Sequence, residues 1–587
     1  MHRMLFIAFL VLLAASTILA HADDLATARK AIEAQYERLD AATVRKDASP
    51  PEGVLDAGLQ AVTVEGDELD LRLWTSAWEQ GLAALETVTV HSNIQSLTVE
   101  GDTARAVVHT VLEGTLKETP GKMRIEVQQQ DTWVKVSSEW RLQRTVETSR
   151  KVLLDGVLAQ DLTAVPPMEP ARRDAIVSEL RARASPFKTV APGAGFDDLA
   201  AFGEIVGDAR IIALGESTHG TAEFFRMKHR LFEYLVEKKG FTVFAFEANW
   251  PSVEIVDRYV KTGEGTSAAA LKAMHEVWQT REVLDLIEWM RAYNSKPGRK
   301  QVLSFAGFDM QSSGTAADCV VDAFSKLEAP DAKTIEAYYT VRAGEDLAKV
   351  KARFADARKL VEARREAMLR YMTAAGYERI HQCAVVVEQH LEAAQADASM
   401  KGYSDVRDKA MALNVKWLAE KMFPGERMVL WAHNGHVATT QEADGWVPMG
   451  QHLRQMLGKN LRVLGFAFDR GEVLHIPFDI GGTGGPDLGK AIAVKVPPAS
   501  LTSSEAVLRT AGLPRFVLDL RTVPALGALG TWLAEPQKMR TMGWGGKAID
   551  DTPSAYISTA TYSTWVLQTA FDALVFVEES TATVPLR

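Results

Sequence analysis

Residues 214–220 read Leu214-Gly215-Glu216-Ser217-Thr218-His219-Gly220. An apolar run at 209–214 leads into this stretch, and apolar residues with helical spacing follow it at 221–239. The carboxylate and the imidazole therefore stand in a loop between a predicted strand and a predicted helix. In open α/β sheets, ligands bind in the crevice at this end of the strands. The stretch thus predicts a functional site.

The same arrangement recurs along the second part of the chain, where further apolar runs are each followed by an acidic residue or a histidine. Near-continuous apolar runs are typical of strands that are buried on both faces of a parallel sheet. If such strands are neighbours, the residues that follow them meet at one edge of the sheet. The runs are 241–246 before Glu247, 301–308 before Asp309, 428–432 before His433 and His436, and 461–468, which ends at Asp469.

We therefore assign residues 196–587 to an α/β domain with a mainly parallel sheet and flanking helices. Residues 331–424 are almost wholly helical in pattern and rich in charge. Because this segment lies between two of the predicted strands, we expect it to be an insertion that caps the pocket. Apolar runs at 516–518 and 574–577 are expected to extend or edge the same sheet.

Residues 23–155 form a separate predicted α+β domain. Two segments with helical spacing, 25–46 and 71–85, are followed by strand-like runs in which polar and apolar residues alternate. Helices followed by a curled antiparallel sheet resemble the cone-shaped fold of nuclear transport factor 2 and the SnoaL-like proteins, which fixes no activity. Residues 156–195 are interrupted by proline and glycine and are predicted to form a linker.

The first 22 residues have the pattern of a secretory signal peptide. A basic start is followed by an apolar run at 5–15 and by Ala20-His21-Ala22, which fits a small-x-small cleavage site. We expect cleavage after Ala22 and a periplasmic or secreted protein. A membrane anchor is the alternative, but the run is short for a span of about 20 residues, and no later stretch looks long and apolar enough. The sequence leaves open whether Cys319 and Cys383 form a disulfide, which an oxidising compartment would permit.

Composition and motifs narrow the class of function. The chain has 587 residues, of which 47% are hydrophobic, and a net charge of -10, which argues against nucleic acid or an anionic membrane as the main partner. Residues 215–219 carry a histidine where the G-x-S-x-G motif of α/β-hydrolases ends in glycine, so Ser217 is not the expected nucleophile. The sequence has no phosphate-binding or dinucleotide-binding glycine loop after a strand, and we predict no cofactor.

The remaining candidates are imidazoles and carboxylates, which are the groups needed to activate a water molecule. We assign His219 as the general base and Glu216 or Glu247 as the carboxylate that orients it, while His433 and His436 stabilise the developing oxyanion. As alternatives, Glu216 is also placed to cap the following helix, and the two later histidines to bond within a turn.

Two other functions stay open from the residues alone. The same histidines and carboxylates are permissible zinc or manganese ligands, although they form no H-E-x-x-H motif, so a metal-dependent hydrolase is one alternative to the metal-free site that we predict. A protein that binds its ligand without turnover is the other alternative.

Six segments of the predicted α/β domain resemble the erythromycin esterase family, in the order in which they occur. They are GESTHGTAEFFRMKHRLFEYLVEKKGFTVFAFEANW (215–250), WQTREVLDLIEWMRAYN (278–294), GFDMQ (307–311), RDKAMALNVKWL (407–418), WAHNGHV (431–437) and FDALVFVEESTATVPL (571–586).

This resemblance implies metal-independent hydrolysis of an ester by water activated on a histidine. In the known resistance enzymes of the family, the ester is the macrolactone of erythromycin. Carried over by motif, the base is His219, and Lys228 stands where an arginine is expected. Because an ammonium lacks the fork of a guanidinium, we expect the substrate to be positioned differently here. We assign Lys228, Asp309 and Trp278 to substrate binding, with a place in the core as the alternative for Trp278.

Overall fold

The computed structural model describes residues 2–47, 49–117, 121–165, 168–299, 301–327, 329–342, 344–396, 400–441, 445–477, 486–543, 545–546 and 562–586. These residues fall into two compact units. The first lies within Met1–Met168, Lys495–Thr502 and Asp550–Thr559, and the second within Glu169–Val494, Ser503–Ile549 and Ala560–Arg587.

The first unit combines two helices with a mainly antiparallel sheet, in which β1 alone pairs with its neighbour β6 in parallel among the described strands. Its helices are α1 (His2–Arg45) and α2 (Leu71–Ala83). In the described part of this unit, the strands form one sheet in the order β2-β1-β6-β5-β4-β3, with β7 paired to β6. The strands are β1 (Leu55–Val62), β2 (Glu68–Asp70), β3 (Leu85–Glu100), β4 (Thr103–Leu116), β5 (Lys122–Val136), β6 (Glu139–Leu154) and β7 (Val157–Thr163).

The core of the first unit lies between α1 and the sheet. Ile32, Tyr36 and Leu39 repeat at helical spacing and are buried against sheet residues such as Val108 and Trp133. This agrees with the α+β character that we predicted. The sequence has two strand-like runs here, 87–90 and 94–99, which form the single strand β3 because the polar residues between them pair with β4.

The predicted linker at 156–195 is wrong in its extent. Strand β7 continues the first sheet by pairing with β6. Helix α3 (Pro170–Arg183) buries Ile176, Val177 and Leu180, and strand β8 (Ser185–Pro186) pairs with a strand of the second unit. The prolines separate short ordered elements here, since Pro is tolerated at the first turn of a helix and on an edge strand.

The second unit is built on a mainly parallel sheet. Among the described residues its order is β11-β10-β12-β9-β13-β19-β15-β8, with β14 and β17 paired to β13. Strands β15 and β8 are antiparallel to their neighbours, whereas β11 to β19 along this order are parallel. The strands are β9 (Ile211–Leu214), β10 (Phe241–Asn249), β11 (Ser304–Asp309), β12 (Arg427–Trp431), β13 (Leu461–Pro477), β14 (Ile492–Val496), β15 (Arg515–Asp519), β16 (Pro536–Arg540), β17 (Gly545–Gly546), β18 (Tyr562–Val566) and β19 (Ala573–Ser580).

Helices connect and cover these strands, so the predicted α/β class is confirmed. The apolar runs at 516–518 and 574–577 lie in β15 and β19 of the same sheet, as expected. After α3, the helices are α4 (Ala200–Val206), α5 (Ala222–Lys239), α6 (Glu254–Thr262), α7 (Ser267–Leu271), α8 (Arg281–Ser295), α9 (Gly314–Phe324), α10 (Ala329–Tyr339), α11 (Leu347–Ala363), α12 (Arg365–Met368), α13 (Ala374–Ala394), α14 (Met400–Trp417), α15 (Asn434–Val437), α16 (Met449–Leu457), α17 (Ser504–Arg509), α18 (Ala528–Ala534) and α19 (Leu567–Ala570).

The segment between β11 and β12 is helical and has a core of its own. Helices α9 to α14 bury a shared cluster that includes Val320, Val361 and Val387. Within this cluster a disulfide joins Cys319 on α9 to Cys383 on α13, with the two Cα atoms 6.4 Å apart. The structure thus answers the question that the sequence left open for these cysteines.

No helix in the described parts of the chain is both long enough and apolar enough to cross a membrane.

Candidate active site

Strand register brings the predicted site residues to one edge of the sheet. Leu214 of β9 is level with Trp431 of β12, which is level with Phe246 of β10. Glu216 and His433 each follow the shared level by two residues, and Glu247 follows it by one. On the far side of β10, Phe246 is level with Gly307 of β11, two residues before Asp309. Four neighbouring strands therefore present their polar residues at the same height.

Strand β13 does not add Asp469 to this edge. Leu464 is the β13 residue level with Leu214, so Asp469 lies five residues farther along a strand that continues to Pro477. Its carboxylate accepts a hydrogen bond from Arg509 at 2.9 Å instead. The apolar run predicted the strand correctly, but not that the strand continues beyond the edge.

Glu216 and His219 form the central pair of the site. Nδ1 of His219 lies 2.6 Å from Oε1 of Glu216. Since an ionised carboxylate only accepts, this hydrogen bond assigns the proton to Nδ1 and leaves the lone pair on Nε2. His219 keeps 9% of its surface exposed, whereas Glu216 has none. The imidazole can therefore meet a ligand while its carboxylate partner stays inside the protein.

The second oxygen of Glu216 is held from two sides. Nζ of Lys228 donates to Oε2 at 2.5 Å, and Nε1 of Trp431 donates to the same oxygen at 2.7 Å. The ammonium also lies 4.3 Å from the centre of the Trp431 ring, where a cation is attracted by the aromatic face. A buried carboxylate cannot accept hydrogen bonds from water, so the protein must supply the donors. Lys228 and Trp431 are the donors to this oxygen.

The assignment of Lys228 to substrate binding is wrong. The side chain is fully buried, and burial lowers the pKa of Lys228 to about 8 although Glu216 opposes this shift. Lys228 follows Phe224 by four residues and precedes Phe232 by four, so helical spacing puts it on the inward face of α5. This helical spacing could have predicted that Lys228 points into the protein, where it contacts Glu216 and not the substrate.

His433 lies beside His219, with the two ring centres 5.2 Å apart. Nδ1 of His433 accepts from the backbone N–H of Gly435, so the other nitrogen, Nε2, carries the proton and lies 3.2 Å from the carbonyl oxygen of Met542. Burial, together with the neighbouring imidazoles, lowers the pKa of His433 to about 3. This histidine is therefore a neutral hydrogen-bond donor at ordinary pH.

His436 is held as an imidazolium by two carboxylates. Nδ1 lies 2.9 Å from both oxygens of Asp408, and Nε2 lies 3.3 Å from Oε1 of Glu247. Burial alone would lower the pKa of His436, but Asp408 and Glu247 outweigh it and raise the pKa to about 10. His436 thus contributes a positive charge to the site rather than a base.

Arg407 joins the carboxylates of two neighbouring strands. Its Nη2 lies 2.7 Å from Oε1 of Glu247 and 2.7 Å from Oδ2 of Asp309, and Nε donates to Oδ1 of Asp309 at 3.1 Å. Nη1 lies 3.0 Å from Nε2 of His436, and Oε1 of Glu247, which contacts both groups, offsets the repulsion between these two cations. Burial would raise the pKa of Glu247, but His436 and Arg407 hold it well below the usual range. Glu247 is therefore ionised, and it also accepts from the backbone N–H of His433 at 3.0 Å.

Asp309 and Trp278, which we assigned to substrate binding, both serve inside the protein. Asp309 has no exposed surface and its oxygens are taken up by Arg407 and by the N–H of Met310. Trp278 is 1% exposed, lies edge-on to His219 at 5.1 Å, and donates to the carbonyl oxygen of Glu247 at 3.3 Å. Burial corrects both assignments, and for Trp278 the core alternative applies.

Several residues of the site were not singled out from the sequence. Arg407 and Asp408 are adjacent on α14, in the charge-rich insertion that we expected to cap the pocket. Trp431 ends an apolar strand and reads as core. Asn434 donates to and accepts from the backbone of Phe466, and its N–H donates to the carbonyl oxygen of Glu216 at 2.7 Å, which joins the loops after β9 and β12.

In the described parts of the chain, no group of three or more histidine, cysteine and acidic side chains is arranged to hold a metal ion. The hydrogen bonds of the histidine ring nitrogens explain in part why these side chains do not surround a metal ion. Nδ1 of His219 and Nδ1 of His436 face carboxylates, and Nδ1 of His433 accepts from Gly435.

Comparison with known proteins places this chain in a family. The sequence pattern of the erythromycin esterases matches residues 236–580. The chain belongs to the erythromycin esterase family. Members of this family are hydrolases that act on ester bonds, and this protein is such a hydrolase.

Curated relatives agree with the family. The chain is 28% identical over 312 residues to the erythromycin esterase type II of Escherichia coli, covering 48% of this chain and 74% of that protein. It is 23% identical over 394 residues to the putative hydrolase YbfO of Bacillus subtilis, covering 60% of this chain and 83% of that protein.

Solved structures share the fold. A protein of Bacillus cereus is 27% identical and superposes with a TM-score of 0.60 over 71% of this chain and 99% of that chain. A mutant of the erythromycin esterase EreC in its open conformation is 18% identical and superposes with a TM-score of 0.53 over 68% of this chain and 97% of that chain, which supports the fold alone.

Proposed function

We propose that the protein hydrolyses a carboxylic ester or a lactone by direct attack of water, with His219 as the general base. The observation that carries this proposal is the 2.6 Å hydrogen bond between Nδ1 of His219 and Glu216, which leaves Nε2 as the proton acceptor. A histidine oriented in this way by a carboxylate accepts a proton readily, because the carboxylate stabilises the imidazolium that forms.

The reaction proceeds in two steps. Nε2 of His219 takes a proton from water as the oxygen attacks the ester carbonyl carbon, and the carbonyl oxygen becomes an oxyanion. His433, whose ring lies beside that of His219, donates its Nε2–H to this oxyanion in exchange for the carbonyl of Met542. When the tetrahedral intermediate collapses, the bond to the alkoxy oxygen breaks and the imidazolium of His219 returns its proton to the leaving alcohol.

Ser217 supports a mechanism without an acyl-enzyme. Its side chain is fully buried, and within the described residues its Oγ has no hydrogen-bond partner. A serine nucleophile needs a base within hydrogen-bond reach, typically about 2.6–3.2 Å, to remove its proton. Among the described residues no such base reaches Oγ of Ser217.

We further propose that the protein is exported, as the signal-peptide pattern of residues 1–22 predicts. The disulfide between Cys319 and Cys383 supports this proposal, because such bonds persist in oxidising compartments and are rare in the cytosol.

A panel of aliphatic esters, lactones and macrolides, each incubated with the protein and analysed by mass spectrometry, tests the proposed reaction. We expect at least one compound to gain the mass of water with the parent protein and to stay intact with His219→Ala. The reaction should continue after dialysis against a chelator. Loss of turnover with the chelator would point to a metal-dependent hydrolase, and a ligand recovered unaltered in every case would point to a binding protein; either result contradicts the proposal.

A further inference from the structure

The first unit contains a cavity of about 460 Å³ that no residue of the candidate active site lines. Its lining residues all lie between Tyr36 and Arg150. Small-molecule sites in proteins usually enclose roughly 300–1,000 Å³, so this cavity is large enough for a ligand of its own.

The sheet supplies an apolar wall to this cavity. Met123, Ile125 and Val127 alternate along β5 and therefore point to the same face of the sheet, and Leu112 of β4 adds to this wall. Helix α2 contributes two tryptophans whose ring centres lie 5.3 Å apart, Trp74 and Trp78. The cavity is thus lined by aromatic and aliphatic side chains over most of its surface.

Three charged side chains that line the cavity lie together, and two of them are carboxylates whereas one is a cation. Nη1 of Arg150 lies 3.1 Å from Oε1 of Glu65, and Nη2 of Arg150 pairs with Glu147. The other oxygen of Glu65, Oε2, is buried and has no hydrogen-bond partner among the described residues. Two carboxylates therefore share one guanidinium.

A third carboxylate adds to the negative charge of the lining. Asp40 lines the cavity, and its oxygens accept hydrogen bonds from the backbone and the hydroxyl of Ser92. These acceptors are occupied, whereas Oε2 of Glu65 has no donor among the described residues. Leaving a buried carboxylate oxygen without a donor is costly, and a ligand with N–H groups would remove that cost.

We propose that this cavity binds a small apolar amine in its protonated form. The ammonium donates to Glu65, and the aliphatic or aromatic part packs against Trp74, Trp78 and Ile125. This binding function is separate from ester hydrolysis, because it uses no residue of the candidate active site, and its failure would leave the proposed reaction untouched.

Isothermal titration of the full chain at pH 7 with octylamine, octanol and octanoate tests the proposal. We expect octylamine to bind with a stoichiometry of one and at least tenfold more tightly than the other two compounds. Glu65→Gln should lower the affinity for octylamine to that for octanol. The matched control Glu100→Gln, which changes an exposed carboxylate of the same unit, should bind octylamine as the parent does.

A second variant locates the binding. Val127→Trp fills the cavity from the sheet and should abolish octylamine binding while circular dichroism shows a folded chain. If Val127→Trp does not fold, Ala77→Phe fills the cavity from α2 and is measured in its place. Absence of binding to the parent, equal affinity for the three compounds, or binding that survives the cavity-filling variant would overturn the proposal.

Discussion

The pair formed by Glu216 and Lys228 decides how the base is held. The ammonium is fully buried, and its pKa of about 8 lies well below the ordinary value of about 10.4. The folded protein therefore releases this proton near pH 8, whereas an unfolded chain keeps it until higher pH. At pH values between about 8 and about 10.4, Glu216 therefore loses its cationic partner while the protein stays folded.

This titration predicts a decline in activity on the alkaline side. Above pH 8 the charge-assisted contact that fixes Glu216 weakens, so we expect kcat/KM to fall by a few-fold between pH 7.5 and about 9.5. Lys228→Arg should remove this decline, because a guanidinium stays charged with a pKa above about 12. The pH profiles of the two proteins on one substrate provide the measurement.

Lys238→Met is the control for that substitution, since Lys238 is exposed on the same helix. Its profile should match that of the parent. An identical decline in parent and Lys228→Arg would show that another group titrates, and the role assigned to Lys228 would be wrong.

The histidines of the site show what residue patterns can and cannot predict. Their positions after apolar strands identified His219, His433 and His436 as candidates, because parallel strands bring their ends together. Their protonation could not be predicted. His433 and His436 are three residues apart, yet burial makes one neutral while Asp408 and Glu247 make the other cationic.

At the scale of elements, helix α14 connects the helical insertion to the sheet. Arg407 is separated by 98 residues from Asp309 and by 160 residues from Glu247. No local pattern indicates contacts over such separations, which is why Arg407 was missed although the strands that it joins were predicted. The strand ends followed from runs of apolar residues, whereas this helix contact depends on tertiary packing.

Removal of the Arg407 side chain should destabilise the second unit. Arg407→Met leaves Glu247 and Asp309 as buried carboxylates without their shared cation, and such a change costs about 3–5 kcal/mol. We expect a correspondingly lower free energy of unfolding in urea. Asp309→Asn combined with Arg407→Met should recover part of the loss, because one of the uncompensated charges is then removed.

Arg370→Met provides the comparison for this series, since Arg370 is exposed in the same insertion. It should unfold within about 0.5 kcal/mol of the parent, as surface substitutions usually do. An Arg407→Met protein as stable as Arg370→Met would contradict the bridging role.

At the scale of the whole molecule, the sequence predicted the α/β class of the second unit and a boundary within 156–195, where the two units divide after Met168, but it wrongly predicted that the whole of this segment is a linker. Proline and glycine at 156–195 indicated a linker, yet β7, α3 and β8 lie there. The reason is that β8 and β7 are short or edge strands, and their partners in the sheets cannot be identified without the fold.

Export and the disulfide give a joint prediction for the protein as produced in its host. The purified chain should begin at Asp23 and weigh less than its reduced form by two hydrogen masses. Reduction should lower the stability of the insertion by about 2–4 kcal/mol, which is typical for a bond that closes a long loop. Intact-mass and N-terminal analysis check the first two points, and urea unfolding with and without reductant checks the third.

A signal peptide that is still present in the purified protein would contradict export. Free thiols on Cys319 and Cys383 in protein isolated without reductant would contradict the disulfide. The double variant Cys319→Ala and Cys383→Ala is the control, because its stability should not respond to reductant.

The central claim is that His219, and not Ser217, initiates the attack on the ester. Its most direct test is the kcat/KM of His219→Ala and Ser217→Ala on the same substrate. Loss of the general base should lower kcat/KM by about 10²–10⁴-fold. Loss of the buried Ser217 hydroxyl should leave kcat/KM within about threefold of the parent, since it has no partner to lose among the described residues. A Ser217→Ala protein as impaired as His219→Ala, or a His219→Ala protein as active as the parent, would contradict the account.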